Sequence, residues 1–253
     1  MDLRIKGRKA LVTGAGRGIG RATALALAAE GAIVALNART EKDLKTAADS
    51  LPGAGHTYHA ADLTAADGPD RLLASLKSFG DIDIVVHALG GALQIRDPLC
   101  GVENWRKLWR LNLEVAVELN ERLIPAMRAR KWGRIVHVSS VSGGENLGPA
   151  PYCAVKSALN AYTRSFGRIY AADGIVVSAV APGAVMSPGG PWDIVRKEDP
   201  ARIKEYADKN LPSGEFGTPE ETAAVAALLC SENARQFCGC VVAADGGLGR
   251  RFT

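Results

Sequence analysis

The sequence has no long apolar run and little that would mark a secreted, membrane-spanning or metal-binding protein. None of its apolar stretches approaches 18 residues, and the opening MDLRIKGRK contains no apolar segment, so we expect no membrane span and no secretory signal. Its five cysteines are odd in number and lack CxxC spacing, and its histidines have no partner at ligand spacing. These features favour buried, reduced thiols in a cytoplasmic protein without a metal.

Charge of one sign is not concentrated either. The chain has 31 basic and 27 acidic residues, a net charge of +4, and its densest basic groups are RARKWGR at 128 to 134 and RRF at the end. Scattered charge of this kind is typical of a solvated surface rather than of a nucleic-acid interface. We therefore expect a small-molecule partner and neither nucleic acid nor membrane.

Short apolar runs alternate with helical patterns along the 253 residues. The runs cover 9–14, 32–37, 56–60, 82–88, 133–140, 175–181 and 239–245, and the helical patterns cover 19–30, 41–50, 102–128, 152–172 and 219–231. Nearly continuous apolar strands are typical of parallel strands that are covered on both faces. The pattern predicts an α/β fold, a Rossmann-type doubly wound sheet of seven parallel strands flanked by helices on both faces.

Only one segment departs from this alternation of apolar runs and helical patterns. Residues 186–216 are rich in glycine, proline and charge, whereas no linker-like or low-complexity stretch divides the chain elsewhere. We expect a single dinucleotide-binding and catalytic domain over 1–253. The exceptional segment is interpreted as a substrate lid with one or two short helices.

A glycine-rich turn stands between the first strand and the first helix. It reads TGAGRGIG, so Thr13, Gly14, Gly18 and Gly20 form a TGxxxGxG pattern. Glycine permits a tight turn there, and backbone N–H groups at the helix N-terminus stabilise a pyrophosphate. The position of the turn predicts a dinucleotide site.

The end of the second strand indicates which dinucleotide binds. Dinucleotide folds often carry an acid here for the ribose hydroxyls, but this chain reads LNART, with Arg39 and no carboxylate. Arg39, together with Arg17 of the glycine turn, would suit a 2′-phosphate. NADP(H) is favoured and NAD(H) is possible, since both arginines could also be ordinary surface residues.

The stretch YCAVK places Tyr152 and Lys156 four residues apart, on one face of a helix. A lysine ammonium about 4 Å from a tyrosine contributes about 4 kcal/mol at an effective dielectric near 20. That is close to the cost of lowering a tyrosine pKa by about three units to neutrality. We therefore expect Lys156 to lower the pKa of Tyr152. Such a spacing also arises readily by chance, so the interpretation depends on the other motifs.

Those motifs together resemble the short-chain dehydrogenase/reductase family, in particular its single-domain branch with the 3-oxoacyl-carrier-protein reductases. The resemblance covers nearly the whole chain, in the family's order, and rests on TGAGRGIG (13–20), ADL (61–63), HALGG (87–91), RLNL (110–113), GRIVHVSSVSG (133–143), YCAVK (152–156), VAPGAV (180–185) and DGG (245–247). One departure is HALG where the family commonly has NNAG. We interpret His87 as a structural residue at the end of a strand.

The resemblance implies a role for each matching position. The catalytic residues would be Asn112, Ser140, Tyr152 and Lys156, with Ser139 as a rival for the serine. Tyr152 would act as general acid or base, Ser140 would bind the substrate oxygen, and Lys156, held by Asn112 through water, would bind ribose. The cofactor would contact Thr13, Gly14, Arg17, Gly18, Ile19, Gly20, Arg39, Asp62, Leu63, Gly90, Asn112, Tyr152, Lys156, Pro182, Gly183, Val185 and Ser187.

The implied function is an NADP(H)-dependent oxidoreductase that interconverts a ketone and a secondary alcohol. The alternative is a catalytically idle member of the family that senses a nucleotide or serves as a scaffold. The substrate stays open among 3-oxoacyl thioesters, small ketones, steroids and sugar derivatives. Arg96, Arg196 and Lys197 could meet an acidic substrate, although a solvated surface is the preferred interpretation. The family also implies a homotetramer or homodimer through 102–128, 152–172 and 238–250.

Overall fold

The computed structural model describes residues 2–251 and contains one sheet of seven parallel strands. The strands are β1 (Lys9–Thr13), β2 (Ile33–Ala38), β3 (Thr57–Ala60), β4 (Ile84–His87), β5 (Gly133–Val138), β6 (Ile175–Pro182) and β7 (Val241–Ala244). Their order across the sheet is β3-β2-β1-β4-β5-β6-β7. The predicted doubly wound parallel sheet is therefore confirmed.

Helices cover both faces of this sheet. Within residues 2–251 they are α1 (Gly18–Ala29), α2 (Glu41–Asp49), α3 (Gly68–Ser75), α4 (Val102–Trp109), α5 (Val115–Ala129), α6 (Ala150–Tyr170), α7 (Pro191–Glu198), α8 (Pro200–Asn210) and α9 (Pro219–Leu229). Apolar side chains of α1, α2 and α9 form a core on one face, and those of α3, α5 and α6 form a core on the other.

The apolar runs of the sequence explain this arrangement. In β1, Ala10 and Val12 belong to the core under α1, whereas Leu11 between them belongs to the core under α3 and α5. All three side chains are fully buried. Successive side chains of a strand point to opposite faces, so a strand covered on both sides must be apolar throughout.

Two elements differ from the sequence prediction. Helix α3 was not predicted, because its eight residues GPDRLLAS form too short an apolar pattern. The single helix expected over 102–128 is instead interrupted by a π-helical turn, Arg110–Glu114, between α4 and α5. The two helices inside 186–216 agree with the expectation for that segment, and they are α7 and α8.

The strand order determines where a ligand can enter. The chain builds β1, β2 and β3 outward in one direction and then returns to place β4 on the other side of β1. Connections therefore leave the carboxyl ends of β1 and β4 in opposite directions and leave a crevice between them. The glycine turn follows β1, and His87-Ala88-Leu89-Gly90 follows at the end of β4, so both predicted motifs border this crevice.

The cysteines and the helices bear on two further expectations. All five cysteines are free thiols, but only Cys230 is buried, whereas the other four are partly exposed. No helix within residues 2–251 is long and apolar enough to cross a membrane.

Candidate active site

The glycine turn has the backbone geometry that the sequence predicts. Gly14 and Gly18 have φ angles of 67° and 57°, in the region that disfavours other residues. A Cβ on Gly14 would lie 2.8 Å from the oxygen of Ala88, and one on Gly20 would overlap the Gly14 carbonyl. Side chains are thus excluded where β1, α1 and the end of β4 meet.

Helix α1 presents an uncapped N-terminus at this turn. Arg17 is its N-cap residue and makes no capping hydrogen bond with its side chain, so the first backbone N–H groups are available to an anion. Ile19 belongs to the first turn of the helix, and its carbonyl accepts a hydrogen bond from Thr23 at 2.7 Å. The turn therefore fits a pyrophosphate, and Thr13 immediately before it is fully buried at the end of β1.

The two arginines that were expected to favour NADP(H) have different neighbours. Arg39 follows β2 and is exposed, and its charge helps to lower the pKa of Asp62, although the hydrogen bond from Thr64 is the larger cause. Arg17 instead donates from Nη1 to the carbonyl of Gly189 at 2.7 Å, within the segment 186–216. Leu63 is buried next to Asp62. The Asp62 loop and Arg39 thus lie together at one end of the crevice.

The π-helical turn positions Asn112. The Oδ1 atom of Asn112 accepts a hydrogen bond from the Gly91 nitrogen at 3.0 Å, and its Nδ2 donates to Gly91 and Leu108 carbonyls at 3.0 and 2.9 Å. Such turns insert one residue into a helix and occur often at functional sites. Here the turn directs a buried amide from the helix to the loop after β4.

Lys156 meets Asn112 at this loop. Its Nζ atom donates to the carbonyl of Val138, the last residue of β5, at 2.9 Å, and the side chain is 2% exposed. A Cβ on Gly90 would lie 3.1 Å from Lys156 Nζ and 2.9 Å from Asn112 Oδ1. Gly90 is therefore the point at which the lysine and the asparagine converge, and only glycine leaves room for both.

Ser140 and Tyr152 complete the cluster. Ser140 follows β5 and shares a hydrogen bond with Tyr152, whose ring centroid lies 5.7 Å from Lys156 Nζ. The rival serine, Ser139, is turned away because its Oγ donates to Asn160 Oδ1 at 2.5 Å. The structure thus brings the four predicted catalytic side chains to one site and supports Ser140 over Ser139 as the serine that faces it.

The ionisation of this cluster differs from the expectation. Burial raises the pKa of Tyr152 to about 12, and the hydrogen bond with Ser140 only partly offsets this. Burial also lowers the pKa of Lys156 to about 7. In the protein alone the predicted lowering of the tyrosine pKa is therefore wrong. The lysine is itself desolvated and carries only part of its charge at neutral pH, so it does not compensate for burial of the tyrosine.

The predicted nicotinamide-binding residues lie at the end of β6 and directly after it. Pro182 is its last residue, and Gly183 packs so closely that a Cβ there would lie 2.9 Å from Asp245 Cα. Val185 pairs with Gly217, so the two ends of the segment 186–216 meet. Ser187 places its Oγ 2.7 Å from the position of a Cβ on Gly18. Of these residues, Ser187 therefore lies against the glycine turn.

Comparison with known proteins agrees with this geometry. A family model described as Enoyl-(Acyl carrier protein) reductase matches residues 14–249. A D-β-hydroxybutyrate dehydrogenase from Cupriavidus necator is 33% identical over 96% of this chain and 98% of its own length. The chain belongs to the short-chain dehydrogenase/reductase family. The expectation of an NAD(P)-dependent enzyme of this family is confirmed.

Solved structures of the short-chain dehydrogenase/reductase family superpose over most of the chain. L-sorbose reductase from Gluconobacter frateurii, complexed with NADPH and L-sorbose, has a TM-score of 0.93 and 32% identity and covers 100% of both chains. A 3-oxoacyl (acyl-carrier-protein) reductase from Agrobacterium tumefaciens with NADP bound has a TM-score of 0.91 and 28% identity, over 97% of this chain and 96% of its own. Both agree with the expected NADP(H).

The residue that departs from the family pattern belongs to a buried polar network. His87 Nε2 donates to Asn120 Oδ1 at 2.9 Å, and Asn120 Nδ2 donates to His137 Nε2 at 3.4 Å and to the Tyr162 hydroxyl at 3.1 Å. His137 Nδ1 in turn donates to Thr163 Oγ1 at 2.8 Å. Desolvation lowers the pKa of His87 to about 4, so the ring is neutral. These contacts suit the structural role expected for His87.

Sequence reasoning missed the residue that supports the π-helical turn in this short-chain dehydrogenase/reductase. Arg110 pairs with Glu118, and its Nη2 donates to the carbonyls of Leu63 and Ala65 at 3.3 and 3.2 Å. It therefore joins the turn that carries Asn112 to the loop that follows β3. Its position in RLNL, two residues before the asparagine, was the only signal available.

The charges at the start of the segment 186–216 have an internal partner. Arg196 and Lys197 contact the two carboxylate oxygens of Asp193 at 2.5 and 2.9 Å, and Asp193 also accepts a hydrogen bond from the Gly189 nitrogen at 2.9 Å. These contacts, the Gly189 hydrogen bond foremost, lower the pKa of Asp193 to about 2. Arg196 and Lys197 therefore both have an ion-pair partner inside the segment.

Proposed function

We propose that this short-chain dehydrogenase/reductase interconverts a ketone and a secondary alcohol with NADP(H), and that Tyr152 is its general acid or base. One observation carries the proposal. Lys156 and Asn112 converge on Gly90, beside the pair formed by Ser140 and Tyr152, at the crevice that the glycine turn borders. A proton donor, a second hydroxyl and a buried amine thus share one cleft.

The side chains divide the chemistry of carbonyl reduction among them. When bound, the nicotinamide ring supplies or accepts the hydride. Tyr152 is protonated at neutral pH, since the ordinary tyrosine pKa of 10.0 is already well above neutrality and burial raises it further, so the side chain holds a proton that it can donate to the carbonyl oxygen. Ser140 offers a second hydrogen bond to the developing negative charge on that oxygen. Lys156 is oriented by the Val138 carbonyl at the floor of the cleft.

The glycine turn and the two arginines would hold the cofactor. The uncapped N-terminus of α1 suits the pyrophosphate, and no side chain obstructs the turn at Gly14, Gly18 or Gly20. Arg39 lies at the adenosine end, beside Asp62, where a 2′-phosphate would add a negative charge for it to bind. Pro182, Gly183, Val185 and Ser187 are proposed to flank the nicotinamide.

The segment 186–216 is proposed as a lid over this cleft. Its two ends pair at Val185 and Gly217, and Arg17 joins it to the glycine turn through the Gly189 carbonyl. Inside it, Trp192, Tyr206 and Phe216 pack on one another. This aromatic cluster packs against Val141 and Leu248, which lie outside the segment, so it joins the lid to the loop after β5 and to the residues after β7.

Two further expectations remain predictions. The chain is expected to form a homotetramer or homodimer, and the exposed apolar side chains of Val102 on α4 and Ile169 on α6 lie on two of the expected interface segments. Light scattering on the purified protein gives the mass of the assembly. The cytoplasmic location is likewise a prediction.

The substitution Tyr152→Phe tests the proposal. It should lower the rate of NADPH oxidation with a panel of ketones by a factor of about 100 to 10,000, the range for a lost general acid. NADPH binding, followed by fluorescence, should persist. Tyr170→Phe on the same helix is the matched control and should keep its turnover, because Tyr170 lies at the far end of α6.

Two outcomes would contradict the proposal. Near-normal turnover of the Tyr152→Phe protein would exclude Tyr152 as the acid. If the wild type binds NADPH but turns over none of the ketones, and none of the matching alcohols with NADP⁺, the alternative of an idle nucleotide-sensing or scaffold protein is favoured.

A further inference from the structure

The last described residues fold back over the loop that joins Ser140 to Tyr152. After β7, the segment 245–251, which we call the C-terminal tail, carries one buried apolar side chain, Leu248. Leu248 shares a small core with Val141 of this loop and with Leu211 at the end of α8. The tail, the loop and the proposed lid are therefore packed together at the mouth of the cleft.

Glu145 holds the tail on the loop. The N–H of Arg250 donates a bifurcated hydrogen bond to both carboxylate oxygens, each 2.9 Å from the nitrogen, and the Arg251 nitrogen donates to Oε1 at 3.1 Å. Carboxylates that accept backbone N–H groups form the stronger class of hydrogen bonds. The backbone of both arginines is thus held in position although their side chains are exposed.

The guanidinium of Arg251 lies on Gly144. A Cβ on Gly144 would overlap Nη1 and Cζ of Arg251, so the arginine occupies the space that the missing side chain leaves. Gly144 is four residues after Ser140, and a Cβ on Gly148 of the same loop would lie 3.6 Å from the Tyr152 ring. One short loop therefore contacts both the arginine and the proposed general acid.

The positive charge of Arg251 has no acidic partner within residues 2–251. No carboxylate of these residues lies within salt-bridge distance of it. Glu145 and Asp245 instead accept hydrogen bonds from backbone nitrogens of the tail, Asp245 from Gly247 and Gly249 at 3.0 Å each, and neither carboxylate forms an ion pair with Arg251. By contrast, Arg196 and Lys197 of the lid both pair with Asp193.

We propose that Arg251 binds a carboxylate of the substrate, so that the enzyme acts on a keto acid and the corresponding hydroxy acid. The inference rests on the proposed function, since it names the substrate class of that same cleft. The guanidinium of Arg251 forms no ion pair within residues 2–251 and can bind one carboxylate through two parallel hydrogen bonds. The tail then determines specificity, and the residues around Tyr152 carry out the reduction.

Matched substrates and matched variants test this role. Acetoacetate and laevulinate are compared with their methyl esters, which keep the ketone and lose the charge. Arg251→Gln should raise the KM of the acids about tenfold, the effect of losing a hydrogen bond to a charged group, and leave the KM of the esters and the kcat unchanged. Arg250→Gln, which removes the same charge one residue earlier, should change neither.

Gly144→Ala displaces the guanidinium without altering any charge. Its methyl group would occupy the place of Arg251 Nη1, and the backbone at Gly144 has a φ of −119°, which alanine adopts readily. This variant should raise the KM of the acids as Arg251→Gln does, and the double variant should be no worse than either alone. Addition of salt should raise the KM of the acids in the wild type only.

Binding measurements separate this inference from the proposed function. Calorimetric titration of each acid and ester into the NADP⁺ complex reports recognition whether or not turnover occurs. Tighter binding of acids than esters, lost in Arg251→Gln and kept in Arg250→Gln, supports the inference even if no ketone is reduced. Equal binding of acids and esters by the wild type, or equal losses in both variants, overturns it even if ketones are reduced.

Discussion

Replacement of Lys156 by methionine should make the protein more stable at neutral pH and abolish its turnover. Lys156 is 2% exposed, and burial lowers the pKa of its amine from the ordinary 10.5 to about 7. The folded protein therefore binds the proton of this amine less tightly than the unfolded chain does. Methionine has a similar length and no charge, so it removes this cost of burial.

The size of the effect depends on pH. At a pH below both pKa values, a difference of about 3.5 pKa units corresponds to about 5 kcal/mol of destabilisation. Between pH 7 and 10.5 the unfolded chain binds more protons than the folded protein, so the cost decreases as the pH rises and vanishes above 10.5. From pH 6 to pH 9 it should fall by about 3 kcal/mol. Lys156→Met also loses the hydrogen bond to Val138, which reduces the added stability of this variant by about 1 kcal/mol at either pH.

Urea denaturation at pH 6 and pH 9, with the protein free of cofactor, measures this difference. The excess free energy of unfolding of Lys156→Met over the wild type should be larger at pH 6 than at pH 9. The buried histidines titrate in both proteins and largely cancel in the comparison. Lys45→Met, at an exposed position of α2, is the control and should stay within about 0.5 kcal/mol of the wild type at both pH values. An equal excess at both pH values would refute the reasoning.

Two further substitutions probe the cofactor and the buried network. Arg39→Ala should reduce the preference for NADPH over NADH, measured as the ratio of the two Kd values, because the 2′-phosphate loses its cation; a wild type that prefers NADH would contradict the assignment. Asn120→Ala should lower the free energy of unfolding by about 2 to 4 kcal/mol, because it leaves polar atoms of His87 and His137 buried without partners. Asn210→Ala, at the exposed end of α8, should change it by no more than about 0.5 kcal/mol, and equal losses in the two variants would show that the network contributes nothing.

The position of each strand could be predicted from local pattern. Leu11 and its neighbours in β1 are apolar because both faces of the sheet are covered, and a run of such residues is visible without any tertiary information. The glycine turn was equally accessible, because Gly14 and Gly18 are required by backbone conformations that disfavour other residues. The short helix α3 escaped, because its eight residues bury little apolar surface.

The motifs predict which side chains lie at the crevice, but they do not predict the ionisation of those side chains. The sequence names Lys156 and Tyr152, yet their pKa values depend on burial by elements far away in the chain. The motif already favours Ser140 over Ser139, but the contact of Ser139 with Asn160 is visible only in the structure. Electrostatic properties depend on distance and solvent exposure, which a pattern of residues does not contain.

The sequence by itself determines the alternation of strands and helices, the glycine turn and the spacing of Tyr152 and Lys156, because each depends on residues close together in the chain. Tertiary contacts determine the π-helical turn at Asn112, the pairing of Arg196 and Lys197 with Asp193, and the place of Arg251 on Gly144. Glu145 and Arg251 are 106 residues apart. No local periodicity brings such residues together, and only the packing of the tail against the loop does so.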